Sequence, residues 1–354
     1  MSDAFPHKEH LADARHRPSQ PSISSQLTTH PSMKSSNRTM TSRTSLAAAI
    51  LALATTLSAH AAEPDPELPA WAAPTIAKAE AYEANKADQE YLEKVRPNLP
   101  SEPIVKPAAP RQVLVFQNTR NFRHTSEILL RKALPEMGKK TGAFEATITD
   151  DPAFFTPETL KKFDAVFFNN VNSVNNIGCP DMAGCQAILD FVKAGGGFAA
   201  NHASLVALNR HPDFKKMIGG TFFNHPFGGK EVYIKNEAPG SPLTAVFGDA
   251  PFPFTDEIFT VKGPYSRDQQ TVLLSIDWDK SPEAVAIDQK AREQQKELYS
   301  FRDDNDYAVS WIKPYGKGRV FYTSLGHAHE TIADPRYLKH LLAGIQYACG
   351  NLNP

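Results

Sequence analysis

Cysteine is scarce. The 354-residue chain carries three, Cys179, Cys185 and Cys349, too few and too scattered for a Cys-rich zinc site, which needs closely paired thiolates. An excess of charge of one sign is also missing, because 38 Lys and Arg stand against 39 Asp and Glu. With no basic field, nucleic acid is not an expected partner, and with no acidic field neither is a cationic one. Nor is there a long apolar run. The most apolar stretch, residues 45–57, falls short of the about 20 residues that cross a bilayer. The compact metal motif H-E-x-x-H does not occur. What remains is the composition of an ordinary globular protein, 41% hydrophobic and 22% charged.

The short apolar run has the build of an export signal. Lys34, Arg38 and Arg43 precede it, and Ala59-His60-Ala61 supplies a small-x-small cleavage pattern after it. Cleavage before Ala62 and a periplasmic or secreted mature protein, free of the membrane, are therefore expected. Residues 1–32 are rich in Ser, Pro and His and unlike a signal, so Met33 or Met40 is the more natural start. In an oxidising compartment, Cys179 and Cys185 either close a local disulfide around Pro180-Asp-Met-Ala-Gly184 or stay as free, buried thiols. Cys349 has no nearby partner in sequence.

Residues 62–110 read as an arm and linker. A helical stretch from Ile76 to Val95 ends at Pro97, and Pro103, Pro107 and Pro110 stiffen the segment beyond it. From Arg111 an α/β rhythm begins. Strands are expected at Gln112–Gln117, Phe144–Ile148, Ala165–Phe168 and from Gly197, with helices at Ser126–Lys139, Pro157–Phe163 and Asp181–Ala194 between them. That alternation implies a mostly parallel sheet with helices on both faces, occupying residues 111–351. After Arg210 the long crossovers stop. Glu231–Lys235, Phe259–Val261 and Thr271–Ile276 then read as strands, Tyr307–Ile312 and Arg319–Thr323 as a hairpin, and Arg336–Cys349 as the closing helix.

Several histidines come directly after strands. Gly195-Gly-Gly-Phe-Ala-Ala-Asn-His202 reads as a buried strand running into a helix with an imidazole on the turn. His124 comes after the first strand and His327 after the last, so parallel packing would gather all three at the carboxyl edge of the sheet, where open α/β sheets bind ligands. His225 in Gly219-Gly-Thr-Phe-Phe-Asn-His-Pro226 is presented by the proline after it. Asp256 and Glu257 are adjacent carboxylates that face opposite ways in an extended segment, so one of them can enter the site. Together these residues are candidates for acid–base work by His202, His124 or His327 with Asp256 or Glu257. They are also candidates for a divalent metal such as zinc, held by His202, His225 and His327. His329 and Glu330 lie close enough in sequence to add a ligand or an orienting carboxylate. Asn201, Phe122, Arg123, His225 and Trp311 are candidate substrate contacts, with Phe122, Phe223 and Trp311 able to stack on a pyranose ring. His211 reads as a cap or packing residue and His340 as structural.

The chain resembles the ThuA-like (trehalose-utilisation) family of the class I glutamine amidotransferase-like superfamily, over about residues 111–351. The resemblance rests on Val113-Leu-Val-Phe with Phe122-Arg-His-Thr-Ser126, Gly195-Gly-Gly-Phe with His202, and Gly219-Gly-Thr-Phe with His225-Pro226. It continues through Asp256-Glu257 and from Trp311 to Gly326-His327. It implies a flavodoxin-like, Rossmann-type sheet. In the glutamine amidotransferases the elbow residue is a nucleophilic cysteine; His202 stands there instead, which argues against glutamine hydrolysis. The family usually has Gly where Ala200 stands, a departure that matters if that position needs positive φ. The family's association with disaccharide and 3-keto-sugar metabolism implies a carbohydrate substrate, a disaccharide or 3-keto-glycoside, with a periplasmic sugar dehydrogenase as a candidate partner. A non-catalytic carbohydrate-binding or partner-docking module is the alternative that the resemblance leaves open.

Overall fold

The computed structural model describes residues 72–294 and 302–354. The expected signal segment, its cleavage site and the alternative starts lie outside them. Among the described residues no helix is long and apolar enough to cross a membrane.

The described strands are, in chain order, β1 (Arg111–Phe116), β2 (Phe144–Thr149), β3 (Ala165–Asn169), β4 (Gly197–Asn201), β5 (Thr221–Asn224), β6 (Lys230–Asn236), β7 (Phe252–Asp256), β8 (Thr260–Lys262), β9 (Thr271–Ile276), β10 (Ala308–Tyr315) and β11 (Gly318–Thr323). Nine of them form one sheet in the order β2-β1-β3-β4-β11-β10-β9-β6-β7. The first five of that order are mutually parallel, and from β10 onward every pairing is antiparallel. The parallel part thus has the flavodoxin-like order, with β11 as its fifth strand. β5 and β8 pair separately as a two-stranded antiparallel ribbon.

The arm forms α1 (Ala72–Asn85) and α2 (Ala87–Glu90), then widens into a π-helical turn over Tyr91–Val95 and tightens into a 3-10 turn over Arg96–Asn98. The helices of the domain are α3 (Thr125–Thr141), α4 (Pro157–Leu160), α5 (Met182–Ala194), α6 (Pro212–Ile218), α7 (Pro282–Glu293), α8 (His329–Ala333) and α9 (Pro335–Ala348).

Side-chain alternation explains why the sheet is covered on both faces. Val113, Val115, Phe167, Ala199 and Phe321 point to one core; Leu114, Phe116, Phe168, Phe198 and Tyr322 point to the other. The first core packs on α3 and α9, the second on α4, α5 and α6. Gly197 is where α9 comes closest: a Cβ there would run into the carbonyl of Ala348. α7 packs on β6, and α8 leads into α9. The apolar residues of the arm are buried on the domain itself. Ala79 and Ala87 pack with Ile128 of α3, and Tyr91, Val95 and Leu99 join the first core. That face is consequently not available for docking another protein.

The cysteines resolve the choice left open by their spacing. All three are free and buried, and burial pushes the Cys185 thiol up to about 12. Ala200 is not among the residues with positive φ; it lies within β4, opposite Phe168 and Tyr322. The left-handed backbone falls on His202 itself, at φ 38°.

Candidate active site

Each parallel strand delivers its next loop to the same edge, and the site is built from three of those loops. β4 ends at Asn201, and His202 begins a short 3-10 turn, fully buried. β11 ends at Thr323, and His327 stands four residues later. β1 runs into the loop that ends at His124, the residue preceding α3, and its side chain makes no capping bond to that helix. The ring is left free to face the site. The loops after β1 and β3 diverge at the point where strand order reverses, the usual binding crevice of such sheets.

The three imidazoles form a near-equilateral triangle. Ring centroids are 5.0 Å apart for His124–His202, 5.1 Å for His124–His327 and 5.2 Å for His202–His327. Glu257 completes the group from the segment between β7 and β8. Its Oε2 lies 3.5 Å from His202 Nε2 and 3.9 Å from His327 Nε2, and its Oε1 lies 3.2 Å from His225 Nδ1. His124, His202, Glu257 and His327 each place one possible ligand atom within 4.8 Å of the others.

The protonation pattern suits that arrangement. His202 Nδ1 lies 2.8 Å from the Ser324 carbonyl oxygen, which can only accept, so Nδ1 carries the proton and Nε2 presents its lone pair to the cluster. At 3.5 Å the contact of Nε2 with Glu257 is an ion-pair distance, and Nε2 has no hydrogen-bond partner. A buried donor-seeking nitrogen whose ring is fixed through a backbone carbonyl is the usual state of a metal-ligating histidine. Burial, reinforced by His202 and His327, holds His124 well below the ordinary imidazole value. Burial and His202 lower His327 likewise, against the pull of Glu257 and Asp256. Both rings are neutral at pH 7, as ligands must be. For Glu257, burial works to raise the carboxyl, yet His202, His327 and His225 together keep it below the usual range and ionised. Three nitrogens and one carboxylate oxygen fit zinc or a similar first-row ion. The set differs from the expected His202, His225 and His327: His124 takes the third nitrogen position, because His225 is half exposed and sits on the far oxygen of Glu257.

The elbow is strained and heavily braced. Tyr322 Oη donates to the His202 carbonyl at 2.9 Å, and the His202 ring packs on Phe259 at 4.3 Å. Ser204 Oγ donates to the Phe168 carbonyl and accepts from Val171 N, tying the turn to the end of β3. Beneath it Lys215, buried on α6, donates to the carbonyls of Leu205 and Ala207 at 2.7 and 2.6 Å. Such bracing is what a positive φ at a non-glycine residue requires.

Other candidates fall elsewhere. Asp256 turns away from the imidazoles. Its Oδ2 accepts from Gly326 N at 2.7 Å and its Oδ1 from Ala328 N at 2.9 Å, so it anchors the His327 loop. Asn201 is fully buried and bonds Asn170 N and Tyr337 Oη, leaving nothing for a substrate. The stacking expected of Trp311 is blocked: it is fully buried against Tyr322 and donates from Nε1 to the Ile218 carbonyl. Phe223 is half-buried with the Lys262 ammonium over its ring. Arg123 is held between Glu83 and Glu127. Phe122 remains available, 42% exposed and 4.9 Å from the His124 ring. His211 precedes α6 without capping it through its side chain, and His340 bonds the Leu243 carbonyl and Ser310 Oγ inside the core. Glu330 is exposed and lines an outer groove with Glu90 and Arg336. His329 contacts the arm instead of the triangle.

Sequence reasoning missed Ser324, Lys215 and the Glu90–His329 contact. A backbone carbonyl leaves no trace in sequence. A lysine in an otherwise apolar helical turn, Phe214-Lys-Lys-Met-Ile218, is a signal that could have been noticed.

The chain combines a flavodoxin-like parallel sheet with a histidine on the turn after β4. The family model for ThuA, described as trehalose utilisation, matches residues 112–348, and the chain belongs to that family. A search of curated proteins finds no match. Among solved structures, a ThuA-like protein from Bacteroides uniformis ATCC 8492 is 22% identical, over 68% of this chain and 91% of its own, with a TM-score of 0.52. A ThuA-like protein from Parabacteroides merdae ATCC 43184 is 18% identical, over 69% of this chain and 92% of its own, with a TM-score of 0.49. The likeness to the first of these shows the fold.

Proposed function

We propose that this chain is an exported enzyme that acts on a disaccharide or 3-keto-glycoside by acid–base chemistry at a divalent-metal site. The observation that carries the reading is the group His124, His202, His327 and Glu257, with ligand atoms within 4.8 Å of one another and the free nitrogen of His202 aimed into it. A divalent ion held there would supply Lewis-acid polarisation of a substrate carbonyl.

The residues of the chain account for the rest. A keto group acidifies the neighbouring C–H, and Glu257 Oε1, the oxygen turned towards His225, is placed to take that proton. His225, half exposed beside it, can pass the proton to solvent. His202 stays fixed by Ser324, which holds its Nε2 3.5 Å from the carboxylate as a ligand atom. The exposed face of Phe122 beside His124 offers an apolar platform for a sugar ring. The leader-like stretch before Ala62 supports export, and N-terminal sequencing of protein recovered from the periplasm or medium tests it.

Turnover of 3-keto-trehalose by the purified mature protein tests the activity. Loss of about a hundredfold or more in kcat/KM in His202→Ala is expected. Unchanged turnover in that variant removes the assigned role, and binding of the sugar without turnover by the native protein replaces the enzyme with a binding module.

A further inference from the structure

The N-terminal arm touches both site loops within one to three residues of His124 and His327. Thr75 Oγ1 of α1 lies 3.1 Å from the Asn121 carbonyl and accepts from Arg123 N at 3.2 Å, one residue before His124. Glu83 reaches the Arg123 guanidinium at 3.6 Å and also pairs with Arg131 of α3. At the other end of the arm, Glu90 Oε1 lies 3.1 Å from His329 Nδ1, two residues after His327. His329 Nε2 in turn lies 2.7 Å from Thr125 Oγ1, one residue after His124. Tyr82 Oη donates to the remaining oxygen of Glu90 at 3.1 Å and its ring lies 5.0 Å from that of His329.

The donors and acceptors run consistently. Glu90 is acceptor-only, so His329 Nδ1 donates to it, and Nε2 then accepts from the Thr125 hydroxyl. The chain Thr125–His329–Glu90–Tyr82 therefore joins the loop carrying His124, the loop carrying His327 and the arm in one network. Asn98 adds a bond to the Ala333 carbonyl at the end of α8. Arg123, Thr125 and His329 each stand within one or two residues of a member of the triangle, yet none of them belongs to it.

We infer that the arm, residues 72–98, is a positioning element of the site, setting the spacing of His124 and His327 through Thr75 and the Glu90–His329–Thr125 chain. The inference rests on the metal reading above for its functional consequence, because ligand geometry must be held to within about 0.5 Å to be productive. Ser126 Oγ of α3 already donates to the Gly326 carbonyl at 3.0 Å. The arm adds a second tie across the tips of the loops after β1 and β11, so that the separation of the two rings is held from two sides. Glu90 and Thr75 are positioning residues; they touch no substrate.

The test uses the full mature chain with Glu90→Ala, Thr75→Val and the conservative Glu90→Gln, which keeps an acceptor for His329. Hydrogen–deuterium exchange, read without metal, is expected to rise in residues 119–125 and 325–329 in Glu90→Ala and Thr75→Val, with melting temperature nearly unchanged and Glu90→Gln close to native. Zinc affinity is expected to fall about tenfold in the same two variants and to recover in Glu90→Gln. Unchanged exchange in both loops overturns the inference whatever the metal does. Failure of the native chain to bind zinc, with the exchange effect present, overturns the metal reading and leaves the brace.

Discussion

His202 donates from Nδ1 to the Ser324 carbonyl across 2.8 Å. That bond joins the turn after β4 to the loop after β11 and decides which nitrogen of His202 faces Glu257. An elbow residue with φ 38° would relax if left to itself. Ser324, Tyr322 and Lys215 prevent it, and the functional nitrogen is fixed by the backbone of a neighbouring strand.

Asp256 holds the His327 loop with both oxygens, one on Gly326 N and one on Ala328 N. Asp256→Asn keeps the shape but turns an NH2 group towards one of those N–H groups. A stability loss of roughly 1–3 kcal/mol is expected from the unsatisfied donor, together with weaker zinc binding. Chemical denaturation paired with metal titration reads both, and native values in both would show that the loop does not depend on Asp256.

Lys215 is buried and satisfies two carbonyls below the elbow, although burial pushes its ammonium down to about 7. Lys215→Met keeps much of the stem and removes the donors. Two carbonyls then stay buried without partners, at a cost of roughly 3 kcal/mol. Urea denaturation measures it; a midpoint unchanged from the native protein would mean that the carbonyls find other donors.

His340 carries a pH dependence that is separate from the site. Burial depresses its pKa from 6.5 to about 4, so the folded chain refuses a proton that the unfolded chain accepts. Its contribution is complete above about pH 6.5 and declines as pH falls towards 4, because the unfolded state binds more protons in that window. At about pH 5 the native protein should have lost roughly 2 kcal/mol through this one group. In His340→Gln the stability curve between about pH 7 and pH 5 should be flatter by that amount. Parallel curves would mean that His340 is protonated alike in both states.

The fold was largely legible because its signals are local. Apolar runs such as Val113–Phe116 and Ala165–Phe168, separated by helical periodicity, specify a parallel sheet, and β11 could be placed from Arg319–Thr323. β7 was missed because Phe252-Pro-Phe-Thr-Asp256 contains a proline tolerated only at a sheet edge, which is where it lies. β5 carries little sequence signal because its four residues are only half-buried and pair with a strand of three.

The site was legible by residue type but not by partner. Strand ends located His124, His202 and His327, yet spacing could not choose between His124 and His225, which depends on how the β5–β8 ribbon folds over. Asp256 and Glu257 are chemically alike, and only the position of Gly326 and Ala328 separates an anchor from a member of the cluster. Trp311 looked available because tryptophan is rarely fully buried, but the carbonyl of Ile218 gives its indole N–H a partner inside.

Isothermal titration of zinc into the metal-stripped mature chain, beside His202→Ala, is the most direct measurement of the central claim. One equivalent bound by the native chain, with affinity falling about a hundredfold or more in the variant, is the expected result. Absence of stoichiometric binding, or equal affinity in native and His202→Ala protein, would contradict it.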